Sequence, residues 1–264
     1  MIDQDGIERP NTPHEHMVEN KIAPIDREIT EDYRFVNKNI LFRLWSRLLR
    51  RIGILIVGPY IKYRYKLKIV GKKNIKKVQK QGCMVTINHV HNFDNLLVGT
   101  KLLHHRKCYF ITLKDNINMP FVGFLLRSLG GLPIPTSTKA MPAFEKSVNE
   151  LLQKKKAVLI CPEASLWPYY RGVRPFKRGA FRFAIKNDVP ILPVVISFRR
   201  RLKKNKKYKY YFTVQVGQPL YADPSLKNKN ERISELQKRT YNYYKDIIER
   251  FYKEEEKNLS INFA

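Results

Sequence analysis

The sequence predicts an α/β fold, a mostly parallel mixed sheet flanked by helices. Three observations lead there. Short apolar runs of strand length, among them GCMVTINH, KCYFITL and AVLICPE, alternate with stretches of helical period such as MPAFEKSVNELLQKK and GAFRFAIKND. AVLI, in AVLICPE, is apolar at successive positions and reads as a buried strand. The last two strand-like runs, VPILPVVISF and KYYFTVQVG, are separated only by the basic RRRLKKNKK, which reads as a hairpin loop and makes one antiparallel pair. A chain of 264 residues can bury a core of this kind as one domain with an appendage.

The elements follow in order. Residues 1–32 read as a flexible acidic tail, with nine acids against three bases, interrupted by Pro10, Pro13 and Pro24. Residues 33–61 form an amphipathic helical segment. At 100° per residue Leu41, Leu44, Trp45, Leu48, Ile52 and Leu55 share one face, with Arg43, Arg47 and Arg50 opposite. Such a face suits either a membrane interface or the chain's own core. Residues 62–264 form the α/β domain. KYRYKLKIVG alternates and reads as its first strand. GCMVTINH is a second strand, and DNLLVGTKLLHH a helix capped by Asn92 or Asp94. MPFVGFLLRSLGGLPI reads as an apolar helix closed by Gly130-Gly131. Residues 229–257 read as a final helix with Ile233, Leu236, Tyr243, Ile247 and Phe251 on its apolar side.

Composition narrows the class. At 43% hydrophobic and 12% aromatic the chain is not disordered. Cys83, Cys108 and Cys161 stand far apart without a C-x-x-C, the pattern of reduced, buried thiols. The first thirty residues carry no secretory signal, and no apolar run reaches the ~20 residues that span a bilayer. A net charge of +28 attracts polyanions: nucleic acid, an anionic membrane surface or phosphorylated substrates.

The stretch TINHVHNFDNLL, residues 86–97, carries the chemistry. A metal site is one reading, but no second cluster of ligands accompanies it. A plain turn, with Asp94 as helix cap, is another. The third is a proton-transfer pair. His89 titrates near an unperturbed ~6.5, and Asp94, five residues on, can orient its ring at the carboxyl edge of the sheet.

The order Asn88-His89-x-x-x-x-Asp94, then MPFVGFLLRSLGG, then CPEAS with PFKRGAFRFA, then VPILPV resembles the glycerolipid acyltransferases, the 1-acylglycerol-3-phosphate and lysophospholipid enzymes, over about residues 62–220. The resemblance implies that His89 is the general base and Asp94 its orienter. An acceptor hydroxyl, deprotonated by His89, would attack the thioester carbonyl of acyl-CoA or an acyl carrier protein, co-substrates rather than cofactors, with no metal. It also implies substrate-binding roles for Asn88, Glu163, Ser165, Lys177, Arg178 and Gly179, the last through close backbone approach to an anion. The implied acceptor is a lyso-lipid, 1-acylglycerol-3-phosphate first. The implied location is the cytoplasmic face of a membrane, peripheral or monotopic, with the amphipathic segment 33–61 as a membrane-docking helix and the basic surface reinforcing docking on anionic lipid.

Two positions depart from the family pattern. Leu166 and Thr136 stand where it has arginines tied to the acceptor's phosphate. Arg171 and Arg174 are candidate replacements. Alternatively the acceptor is another lyso-lipid or a glycolipid hydroxyl, with SLWPYY as aromatic surface. A basic nucleic-acid-binding protein is the rival class. No finger, RNP-type or helix-turn-helix pattern accompanies the charge, so no nucleic acid partner is expected.

Overall fold

The computed structural model describes residues 2–3, 7–15, 17, 23–103, 108–202 and 208–261, save the side chains of residues 101, 200, 202, 208 and 258–261. Seven strands form one sheet: β1 (Lys68–Val70), β2 (Cys83–Ile87), β3 (Cys108–Leu113), β4 (Gly131–Ile134), β5 (Ala157–Ile160), β6 (Ile191–Leu202) and β7 (Tyr208–Val216). Their spatial order is β1-β7-β6-β2-β5-β3-β4. Every pairing is parallel except β6–β7. The predicted class therefore holds: a mostly parallel mixed sheet with one antiparallel pair.

β2 is buried at all five positions. Its side chains still alternate. Met84 enters the cluster under Phe181, Leu236 and Tyr244, whereas Val85 and Ile87 enter the cluster on the other face with Leu97 and Val98. The first cluster is covered by α7 (Met141–Gln153), α8 (Gly179–Lys186) and α9 (Lys229–Ile261), the second by α2 (Gly58–Arg64) and α4 (Asp94–Leu97), which runs on as a π-helical turn, Val98–Leu102. Tyr244 on α9 is fully buried, and its hydroxyl bonds Thr86 Oγ1 at 3.1 Å and the Val194 carbonyl at 3.0 Å, pinning α9 to β2 and β6.

Several elements differ from the sequence reading. Residues 62–64 belong to α2, not to a strand, because Ile61 and Tyr65 bury one helical face at i, i+4 while Tyr63 points out. GLPI is β4, an edge strand, where Pro133 loses no ladder bond. The preceding helix, α6 (Val122–Leu129), does close on Gly130. That residue is left-handed at φ 103°, and an added Cβ would meet Arg50 Nη2 at 2.7 Å. Arg199 to Leu202 extend β6 rather than opening the loop, pairing with Tyr211 to Tyr208. Residues 203–207, the rest of that loop, and His104 and His105 lie outside the described residues. On α9 the buried stripe is Ile233, Leu236, Thr240, Tyr244, Ile247, Ile248 and Tyr252, so Tyr243 and Phe251 sit at its margin.

α1 (Ile40–Ile52) meets the body with its polar side. Ser46 Oγ donates to the Ser128 carbonyl at 2.6 Å, and Trp45 Nε1 to Ser128 Oγ at 3.1 Å. Arg50 donates to the Leu129 and Cys108 carbonyls at 2.6 and 3.1 Å. Arg50 is thus committed to the body and not free for lipid phosphate, and burial lowers its pKa. The apolar side points out: Leu41, Leu44, Leu48, Leu55 and Ile56 are exposed, with Phe121 and Phe124 alongside. Among the described residues no helix is long and apolar enough to cross a membrane.

The 1–32 segment touches the body at several described points. Ile29 is buried, and Arg9, ion-paired with Asp3 at 2.6 Å, donates to the Pro168 carbonyl at 2.9 Å.

Candidate active site

Parallel pairing sets the site. Thr86 lies opposite Ile160, so β2 and β5 end side by side, and His89 and Glu163 each fall three residues beyond that pair. His89 N donates to Glu163 Oε2 at 3.0 Å. Beyond β2 the chain must turn into α4, and Asp94 shapes the turn. Its Oδ2 accepts from Val90 N at 2.8 Å, from His91 N at 2.9 Å and from His89 Nδ1 at 3.1 Å. Asp94 is 1% exposed and is the first helical residue of α4, not its N-cap. Its Oδ1 is buried with no hydrogen-bond partner among the described residues.

The carboxylate fixes the proton of His89 on Nδ1 and leaves Nε2 as the second ring nitrogen, with the side chain 21% exposed. Burial lowers the His89 pKa. The charge and hydrogen bonding of Cys161 and Asp94 overcome it and raise the value to about 10. The sequence reading took the ring at its ordinary value. Its surroundings instead favour imidazolium, so the free base is the form that must be populated for chemistry.

A buried frame holds this loop. Glu163 and Arg174, 1% and 2% exposed, pair at 2.7 Å through Oε2 and Nη2, and Glu163 Oε1 accepts from Arg174 N at 3.0 Å. Arg174 also bonds Ser165 Oγ and lies over the Trp167 ring at 4.8 Å. Trp167 N returns to the His89 carbonyl at 3.1 Å, and Tyr169 N to that of Val90 at 2.9 Å. Asn88 is fully buried, with its amide bonding the Ile196 N–H and carbonyl at 2.8 and 2.9 Å, which extends the β2–β6 pairing past the strand. Part of the N-terminal segment lies on this frame. The Pro13 carbonyl accepts from Arg174 Nη1 at 3.1 Å, and His14 Nδ1 donates to the Glu163 carbonyl at 3.1 Å.

The structure therefore brings His89, Asp94, Asn88, Glu163, Ser165 and Arg174 together, but buries Glu163, Ser165 and Arg174 in hydrogen bonds centred on Arg174 and Asn88 in its bonds to Ile196. Sequence reasoning assigned them to substrate; the geometry gives them to the loop that carries His89. Arg171 is held elsewhere, on Glu255 at 3.0 Å and over Tyr252 at 4.3 Å. Lys177, Arg178 and Gly179 stand at the start of α8, the first two exposed. Nothing lies within 4 Å of a Cβ added at Gly179, so the space beside it is open. Thr136 donates to Glu28 Oε2 at 2.8 Å, and Glu28 pairs with Lys114, which lowers its pKa. His91 packs among Tyr65, Phe93, Tyr169 and Phe212, and burial lowers its pKa. Among the described residues no group of three His, Cys, Asp or Glu could hold a metal ion. Sequence reasoning missed Cys161, half-buried one residue past β5. Aligning CMVTINH with AVLICPE as parallel neighbours would have placed it beside the histidine turn.

A mostly parallel sheet with a His–Asp pair at its carboxyl edge has the geometry that an oriented imidazole needs. The comparisons supply the family. The Acyltransferase family model matches residues 66–197, half of the chain, and the chain belongs to that family. It is 26% identical over 170 residues to the 1-acyl-sn-glycerol-3-phosphate acyltransferase of Saccharomyces cerevisiae, covering 62% of this chain and 54% of that one. To the Escherichia coli protein of the same name it is 29% identical over 133 residues, covering 50 and 53%. To human 1-acyl-sn-glycerol-3-phosphate acyltransferase beta it is 28% identical over 177 residues, covering 64 and 62%. The chain thus spans little more than half the length of these relatives. The crystal structure of the 1-acyl-sn-glycerophosphate acyltransferase PlsC from Thermotoga maritima shares the fold, with TM-score 0.54, 18% identity and coverage of 81% of this chain and 96% of that one.

Proposed function

We propose that the chain transfers an acyl group from an acyl thioester, on coenzyme A or an acyl carrier protein, to a hydroxyl of a lyso-lipid, with 1-acylglycerol-3-phosphate as the first candidate. One observation carries the proposal: the partly exposed His89 ring, held by Asp94 at 3.1 Å at the carboxyl edge of the sheet. Asp94 keeps the proton on Nδ1, and Nε2 takes the acceptor's proton as its oxygen attacks the thioester carbonyl. The developing imidazolium is stabilised by the same carboxylate, and the thiol of the donor leaves. The names of the curated relatives support the acceptor class.

The outward apolar face of α1 supports docking on a membrane. A soluble chain gains nothing by turning Leu41, Leu44 and Leu48 to water while its serine and arginine face the body. Anionic lipid would meet the net charge of +28. Both features support a location on the cytoplasmic face of a membrane, peripheral or monotopic.

A second reading has its own support. Glu28 occupies Thr136, and Arg171 and Arg174 are engaged within the chain. An acceptor without a phosphomonoester, such as another lyso-lipid or a glycolipid, fits that surface better. Purified protein, labelled acyl-CoA or acyl carrier protein, and lyso-lipids with and without the phosphate test both readings. Labelled product with any of these acceptors supports acyl transfer, and its absence with all of them overturns it.

A further inference from the structure

The basic β6–β7 hairpin has no part in the proposed chemistry, yet the fold sets it beside the site. β6 runs parallel to β2 with Ile87 opposite Val194, so Ile196 stands level with His89. Arg199 and Arg201 lie three and five residues farther along β6, and at about 3.3 Å per residue they stand roughly 10 and 17 Å beyond that level. The two faces of this arm differ. Phe198, Tyr210 and Phe212 point to the side of α2 and α4, where Tyr169 stacks on Tyr210 at 3.7 Å. Alternation turns Arg199, Arg201, Lys209 and Tyr211 the other way, the side on which Val195 enters the cluster under α9. Lys66 Nζ, Lys209 Nζ and Arg201 Cζ lie 5.1, 5.6 and 6.0 Å from the centroid of the Tyr211 ring. Arg201 and Lys209 are direct cross-strand partners, a like-charge pair that destabilises the hairpin. Among the described residues no carboxylate pairs with Lys66, Arg199, Arg201 or Lys209, and Glu255 on α9 is held by Arg171 at 3.0 Å. A compact cluster of unpaired cations draws a small polyanion.

We propose that the α9-facing side of the β6–β7 arm binds the nucleotide phosphates of the acyl donor, an acyl-coenzyme A. The proposal rests on acyl transfer as the function and names its donor. Two features favour this anion over lipid head groups and over an acidic carrier protein. Leu55, Ile56, Tyr60 and Tyr63 are exposed on the helical layer that covers the α2 side of the sheet, so the charges of the arm face water when that layer meets a bilayer. The cations also gather about one tyrosine ring instead of spreading along an extended face. That footprint suits clustered phosphates, which arginine and lysine hold through charge-assisted hydrogen bonds. The extended pantetheine chain of coenzyme A spans a distance of the same order as that from the arm to His89. Phosphates held on the arm therefore leave the thioester at the imidazole.

The experiment titrates the full-length chain calorimetrically with adenosine 3′,5′-bisphosphate and measures acyl transfer from acyl-CoA in parallel. Arg201→Gln with Lys209→Gln weakens nucleotide binding about tenfold or more and raises KM for acyl-CoA to match, while kcat, melting and sedimentation with anionic vesicles hold. Lys80→Gln with Lys227→Gln removes the same charge from exposed positions elsewhere and changes none of these. A parent that does not bind the nucleotide, or an arm variant that binds it equally well, overturns the proposal. So does an arm variant that loses only vesicle sedimentation, or only transfer from an acyl carrier protein, since the arm then serves lipid or the carrier. If no donor supports acyl transfer, the function reading fails, and the calorimetry still decides whether the arm holds nucleotide phosphates.

Discussion

Glu163→Ala separates a structural carboxylate from a substrate-binding one. The Glu163 side chain accepts three hydrogen bonds, from His89 N at 3.0 Å, Arg174 N at 3.0 Å and Arg174 Nη2 at 2.7 Å. Both members of the pair are at most 2% exposed. Removing the acid leaves the Arg174 charge buried and uncompensated, which costs about 3–5 kcal/mol. At about 2–4 °C per kcal/mol for a domain of this size, the melting temperature falls by roughly 6–20 °C. Thermal unfolding followed by far-ultraviolet circular dichroism reads the shift, and acyl transfer below the new transition reads what remains. Because the loop bearing His89 loses its anchor, turnover falls as well as stability. The double variant Glu163→Gln with Arg174→Met, which removes both charges, regains much of the lost stability. A Glu163→Ala protein that melts with the parent and only binds acceptor more weakly would refute this assignment and return Glu163 to the substrate.

The remaining predictions are shorter. Asp94→Asn puts an amide where the ring's acceptor stood and lowers turnover about 10³–10⁴-fold, with vesicle binding unchanged; equal turnover would make Asp94 a turn residue only. The raised pKa of His89 places the acid limb of the rate profile on the alkaline side, so kcat/KM climbs as pH rises from neutrality toward about 10. The same shift means that stability from the charged ring is complete below its unfolded value of ~6.5 and is lost as pH rises through about 10. A profile already flat at pH 7 would contradict both statements. Leu41→Ser with Leu44→Ser removes exposed apolar surface from α1, and sedimentation with anionic vesicles falls about tenfold or more while melting holds. Unchanged sedimentation would remove α1 from the docking face.

What the sequence made legible follows from range. Strands with continuous apolar runs and helices with clear periods are local signals, and β2, β3, β5 and α7 to α9 lie where those signals put them. β4 escaped because four residues containing a proline carry little local signal and depend on an edge position that only the sheet provides. Lys62 to Arg64 misled because alternating tyrosine and basic residues satisfy a strand and a helix alike. The helix wins here through the burial of Ile61 and Tyr65. At the site, His89 and Asp94 were legible because both sit on one turn. The roles of Glu163 and Arg174 were not, since a polar residue named by a motif does not reveal whether its partner is substrate or another side chain. The bond from His89 N to Glu163 crosses strand ends set by the β2–β5 register, which no local pattern encodes.

Acyl transfer by His89→Ala, measured in single turnover on vesicles with labelled acyl thioester and a lyso-lipid acceptor, bears most directly on the central claim. The imidazole as base predicts a loss of about 10²–10⁴-fold, read below the variant's own melting transition. Turnover equal to that of the parent would contradict it.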